Sequence, residues 1–204
     1  MTDRAPSPRR RSLLVALGFE AGIGVIGVGA AALFGVALTP TLTLTGEDVL
    51  VSAVGVGVLT LMLIVVVRSS WPPFRNIRVQ LDRSLRVFFR NASIPALLAL
   101  SLVAGFSEEL FFRGFLQQGL EDLMPTIAAV AAANTLFALA HLITPTYGVL
   151  ALLMGGVLSA VFILSDSLIA TALAHALYDF IALAYYLRRP VAAGTSTRDQ
   201  KQEV

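Results

Sequence analysis

Long apolar runs separated by short polar breaks set the pattern of this chain. The first extends from Leu13 to Leu38 and the second from Val49 to Val67, with Thr39, Pro40, Glu47 and Asp48 between them. After residue 91 the sequence is almost continuously apolar. Breaks at Pro125, Pro145 and Asp166 divide it into runs at Ile94–Leu116, Thr126–Leu142, Tyr147–Leu164 and Leu168–Leu187. A bilayer-spanning helix needs roughly 20 apolar residues, so the pattern predicts an all-α, polytopic transmembrane helical bundle of about six spans.

The polar gap from Arg68 to Asn91 has its own rhythm. Arg75, Arg78, Arg83, Arg86 and Arg90 alternate with Leu81, Leu85, Phe88 and Phe89 at roughly helical spacing. That spacing predicts one amphipathic helix lying at the membrane surface. Residues 1–12, with Pro6, Pro8 and Arg9-Arg10-Arg11, read as a disordered basic tail. A single transmembrane domain is expected over 13–187, followed by a polar tail over 188–204. A basic start before an apolar run also suits a signal peptide. Signal cores extend over only about 7–15 residues, so a retained first helix is the better reading. Gly18, Gly22 and Gly29, with Gly24 and Gly27, give that helix small-residue faces for close contact.

Composition removes the soluble alternative. Hydrophobic residues make up 56% of the 204 and charged residues 14%, whereas a soluble domain has about 25% charged residues. Mean hydropathy is +0.80. The net charge of +2 does not point to nucleic acid, because the basic residues flank apolar runs, where anionic lipid headgroups are their natural partners. The basic segments all fall on one face of a six-span topology. Glu47–Asp48, Glu121–Asp122 and Asp166 fall on the other. Both termini are therefore expected in the cytoplasm, in a prokaryotic plasma membrane. Cysteine is absent, which excludes disulfides, thiolate metal sites and thiol nucleophiles.

An ionisable side chain at the bilayer centre costs at least about 2.5–3.5 kcal/mol on insertion scales, so each one needs a partner or a task. Glu109 and Arg113 lie four apart, on one helix face and in the favourable order for an ion pair. Glu108 points about 100° away from that face. It is left free, which suits a general base. The plainer alternative is that Glu108, Glu109 and Arg113 cap the outer end of a span. His141 ends the run Phe137-Ala-Leu-Ala-His141, and by itself suits an interfacial position as well as a catalytic one. His175 has Asp179 one turn on, which either fixes its tautomer for chemistry or forms a structural pair. Glu20 has no partner in the sequence and reads as structural or interfacial. The motifs His-Glu-x-x-His and Gly-x-Ser-x-Gly and the Walker loop are all absent.

Taken together, Glu108-Glu109-x-x-x-Arg113, Phe137-x-x-x-His141 and His175-x-x-x-Asp179 resemble the motif set of the CPBP family. That family covers CAAX-processing type II proteases and the bacteriocin-processing or self-immunity proteins labelled Abi. The resemblance extends over about Ile94 to Leu187, the expected peptidase core. It implies an intramembrane endopeptidase that hydrolyses a peptide bond of a membrane-associated or lipidated protein with an activated water. On that likeness Glu108 and His141 activate the water, His175 and Asp179 stabilise the oxyanion, and Arg113 supports the glutamate pair. The last position is often asparagine in the prenyl-protease branch, so Asp179 departs from that pattern. Family members are described as metalloproteases and also as metal-free. Were a divalent metal such as zinc bound, Glu108, His141 and His175 would form its three-ligand open site. The expected partners are membrane lipids and a peptide or protein substrate, free or lipid-modified, with no nucleic acid. The readings from other classes are a catalytically idle immunity or scaffold protein and a small ion-coupled transporter. The transporter would show inverted repeats or paired broken helices, and neither is evident.

Overall fold

The computed structural model describes residues 8–189. The tail expected over 1–12 lies outside the described residues up to residue 7, and the C-terminal tail lies outside them from residue 190. Among the described residues the chain is helical, with no strand. The helices are α1 (Pro8–Phe34), α2 (Gly46–Arg68), α3 (Pro72–Phe89), α4 (Ile94–Glu109), α5 (Gln118–Glu121), α6 (Thr126–Ala140), α7 (Pro145–Ser165) and α8 (Leu168–Arg188). A short 3-10 turn, Thr39–Thr41, follows α1, and a π-helix, Leu110–Gln117, joins α4 to α5 without a break.

The polar breaks in the sequence are the helix caps. Thr45 and Asp48 form a reciprocal capping box at the start of α2, with Thr45 N donating to Asp48 Oδ2 at 2.7 Å. Ser93, Thr144 and Ser167 cap α4, α7 and α8. Asp166 closes α7 in the left-handed conformation at φ 49°, which aspartate tolerates better than most residues.

Among the described residues, five helices are long and apolar enough to cross a membrane: 11–34, 46–68, 94–121, 145–165 and 168–188. Their outer faces carry large apolar side chains with no protein neighbour to cover them, such as Val25 (73% exposed) and Leu33 (80%). In water such faces would force aggregation; in a bilayer they meet lipid. The protein is an integral membrane helical bundle.

Two boundaries differ from the sequence reading, and both matter for depth. The third span does not stop at Leu116 but continues through the π-helix to Glu121. The run ending at Leu142 instead gives a 15-residue helix, α6. Glu108 consequently sits near the middle of its span, about 20 Å short of Glu121 at 1.5 Å per residue. After a turn at Pro125, α6 returns over about 22 Å before His141 ends it.

The amphipathic helix α3 does more than lie on a surface. Its apolar residues Ile77, Leu81, Leu85 and Phe89 line a cavity inside the bundle, so α3 roofs it. Its arginines bind exposed carbonyl ends of neighbouring helices. Arg78 donates to Val66 O and, at 2.8 Å, to Ser69 O after α2. Arg86 donates to Tyr186 O and Arg189 O at the end of α8, each at 2.9 Å. Asp82 closes the set, accepting from Arg86 Nε at 2.9 Å and Arg189 Nη2 at 3.0 Å. Cations at helix C-termini are favoured both by the free carbonyls and by the helix dipole.

Candidate active site

Helices α4 and α8 approach closely because small residues face each other. A Cβ at Gly105 would stand 2.7 Å from Ala176 N and 2.9 Å from Ala172 O, so no larger residue fits without shifting α8. This approach sets Glu109 of α4 beside His175 of α8. Glu109 Oε1 receives His175 Nδ1 at 2.8 Å and Arg113 Nη1 at 2.9 Å. Glu109 and Arg113 are both 0% exposed. A carboxylate can only accept, so the shared oxygen fixes a proton on His175 Nδ1 and turns Nε2 toward the cavity. There Nε2 lies 3.7 Å from Asp179 Oδ2.

Arg113 is held by more than its acid partner. Its Nη2 donates to Asn134 Oδ1 at 3.1 Å and to Gly155 O at 2.8 Å. The network continues from Asn134 Nδ2 to Ser159 Oγ at 3.2 Å and from Ser159 Oγ to Gln117 Oε1 at 2.8 Å. The guanidinium also lies over the Phe137 ring, 5.0 Å from its centroid. A buried cation is tolerable only when paired and hydrogen-bonded, and these acceptors supply that. Sequence reasoning missed Asn134, Gln117, Ser159 and Gly155. The lone amide of Asn134 in the apolar α6 was the signal that could have led to them.

Glu108 faces the other way, into the cavity. It is 8% exposed, and its Oε2 accepts no hydrogen bond. His141 Nε2 stands 3.7 Å from that oxygen. His141 Nδ1 is bound to Phe137 O at 2.8 Å, and its ring stacks on Phe137 with centroids 4.3 Å apart. A carbonyl oxygen requires a donor, so Nδ1 carries the proton and the Nε2 lone pair faces Glu108. The helix end at His141 is what frees the ring to turn this way.

All six sequence-derived candidates come together. Glu108, His141, His175 and Asp179 line one cavity of about 360 Å³, and Glu109 and Arg113 lie directly behind them. Glu20 of α1, set aside on sequence, lines the same cavity. Its neighbours come from distant segments, so no local spacing could reveal them. Among the described residues, no group of three or more His, Asp or Glu side chains is arranged to hold a metal ion.

Residues 90–181 match the family model described as type II CAAX prenyl endopeptidase Rce1-like. No curated protein and no solved structure matches the chain.

Proposed function

Over residues 90–181 this chain belongs to the Rce1-like type II CAAX prenyl endopeptidase family, and on that premise we propose that it is an intramembrane endopeptidase using a water activated by Glu108 and His141. The peptidase core is residues 94–187 within one transmembrane domain over 13–187, oriented with both termini in the cytoplasm. The substrate is a membrane-associated peptide or protein, free or lipid-modified.

The pair of facing acceptors carries the reading. Glu108 Oε2 and His141 Nε2, 3.7 Å apart, both present lone pairs, and a water has two protons to give. Seated about 2.8 Å from each, that water donates to both and turns its own lone pair toward a bound carbonyl carbon. On attack its oxygen bonds to that carbon, one proton passes to Glu108, and the carbonyl oxygen takes up the negative charge. A doubly protonated His175 offers Nε2–H to that oxyanion, while Glu109 and Asp179 balance the imidazolium. Collapse breaks the C–N bond, and the proton on Glu108 moves to the leaving amine, giving an acid and an amine. Arg113 holds Glu109 and so fixes His175. No step passes through a metal.

The test is a comparison of peptide termini in membranes carrying wild type or Glu108→Gln. New termini that appear only with wild type support the reading. Identical termini, with both proteins present and folded, would show it to be wrong.

A further inference from the structure

The catalytic cavity does not end at α1. It meets a more open groove of about 620 Å³ between α1 and α3, and Ala16, Glu20 and Phe89 line both. Away from that junction the groove is walled by Phe19 and Phe88, with Arg11 further along. Glu20 thus stands where an apolar channel opens into the candidate active site. It lies in α1, outside the segment matched by the family.

Its charge is unmatched. Glu20 Oε2 is buried and accepts no hydrogen bond. Its electrostatic neighbours are Glu108, Asp179, His141 and His175. Glu108, 8% exposed, presents a second unpartnered oxygen to the same cavity. The cluster holds four carboxylates, Glu20, Glu108, Glu109 and Asp179, against three groups able to carry positive charge, Arg113, His141 and His175. With all four carboxyls ionised, negative charge would be in excess by one even with both imidazoles protonated. Arg113 cannot serve Glu20, because it is 0% exposed and committed to Glu109, Asn134 and the Gly155 carbonyl. An unpaired carboxylate in a low-dielectric cavity is costly. A cation brought by a ligand removes that cost and so gives selectivity.

We propose that Glu20 is a specificity subsite for a basic side chain, lysine or arginine, of the peptide substrate, and that the adjoining groove takes an apolar segment of the same molecule. The proposal rests on the peptidase reading, but its test reads binding, without turnover. The full chain in nanodiscs of zwitterionic lipid is heated with N-dodecanoyl-lysinamide or with N-dodecanoyl-norleucinamide, which differ only by ammonium against hydrogen on the last side-chain carbon. The lysine probe should raise the wild-type midpoint by about 4 °C more than its neutral counterpart. The difference should vanish in Glu20→Gln and persist in Glu20→Asp, which keeps the charge. In Glu20→Lys the preference should pass to the N-dodecanoyl amide of glutamate. Equal shifts in the wild type, or a lysine preference surviving in Glu20→Gln, would overturn the proposal. The comparison of termini with Glu108→Gln judges the peptidase reading separately, so either can fail alone.

Discussion

His141 Nε2 and Glu108 Oε2 stand 3.7 Å apart although their helices enter that level from opposite directions. The long span 94–121 carries Glu108 at its middle, and the short α6 stops there, ending at His141. Both ring nitrogens of His141 are then assigned: one to the Phe137 carbonyl, one to the cavity.

On the proposed mechanism, His141→Ala removes one of the two acceptors that orient the water. It is expected to lower kcat by about 10²–10⁴-fold with little change in KM. Steady-state kinetics on a substrate identified from the termini comparison would check this, with circular dichroism confirming the helical fold.

Two adjacent glycines should respond with opposite signs. A Cβ at Gly155 would meet Asn134 Oδ1 at 2.6 Å and Arg113 Nη2 at 3.3 Å, whereas at Gly156 nothing lies within 4 Å. Gly155→Ala is expected to destabilise by about 1–3 kcal/mol. Gly156→Ala should be neutral or stabilise by up to about 1 kcal/mol. Thermal unfolding in detergent distinguishes them.

Arg113→Ala should be among the most damaging single changes. It leaves the buried Glu109 without its guanidinium, with His175 still bound to it, and strands Asn134 and the Gly155 carbonyl, at a cost of about 3–5 kcal/mol. Arg113→Lys cannot reproduce the planar fork and should recover only part of that loss. The midpoint of thermal unfolding again gives the measure.

Asp179→Asn should keep the fold and retain activity within about tenfold, because the amide oxygen keeps a polar group facing His175 Nε2, 3.7 Å from Asp179 Oδ2. Asp179→Ala should lose clearly more. Equal losses in both would mean that the charge of Asp179, and not the polar oxygen it places near Nε2, is what His175 requires.

The link between α3 and α8 should weaken in acid. Burial raises the Asp82 carboxyl, but the hydrogen bonds from Arg86 and Arg189 outweigh it and hold it below the usual carboxylate range. Its contribution is therefore present above the unfolded value of about 3.9 and lost as pH falls through the lower folded value. Hydrogen exchange in α3 should accelerate in that window for wild type. In Asp82→Asn it should already be fast at neutral pH.

The span pattern and the local pairs were legible in the sequence because their causes are local. Apolar runs mark helices, and residues four apart share a face, which is why the Glu109–Arg113 contact could be read directly. Depth was not legible. Hydropathy has no signal for a span that continues through Gln117 and Gln118, nor for a helix that stops after 15 residues. The Arg113 acceptors and the setting of Glu20 depend on segments 20 to 160 residues apart meeting in space, which no periodicity encodes. The glycines of α1 show the same limit. Gly24 and Gly27 meet Ser107 and Phe111, whereas Gly18, Gly22 and Gly29 meet nothing within 4 Å.

The π-helix from Leu110 to Gln117 has a consequence for how this chain tolerates change in length. Its hydrogen bonds reach five residues along instead of four, so it holds one more residue than an α-helix of the same turn. Deleting a single residue there would relax the backbone to ordinary α geometry. Because the lost residue is the extra one, Gln117 and everything beyond would keep nearly the same angle to Glu108 and Glu109, whereas the same deletion in a regular α-helix would turn them by about 100°. The acid pair and the amide that anchors Ser159 are thus separated by seven residues that hold one in reserve.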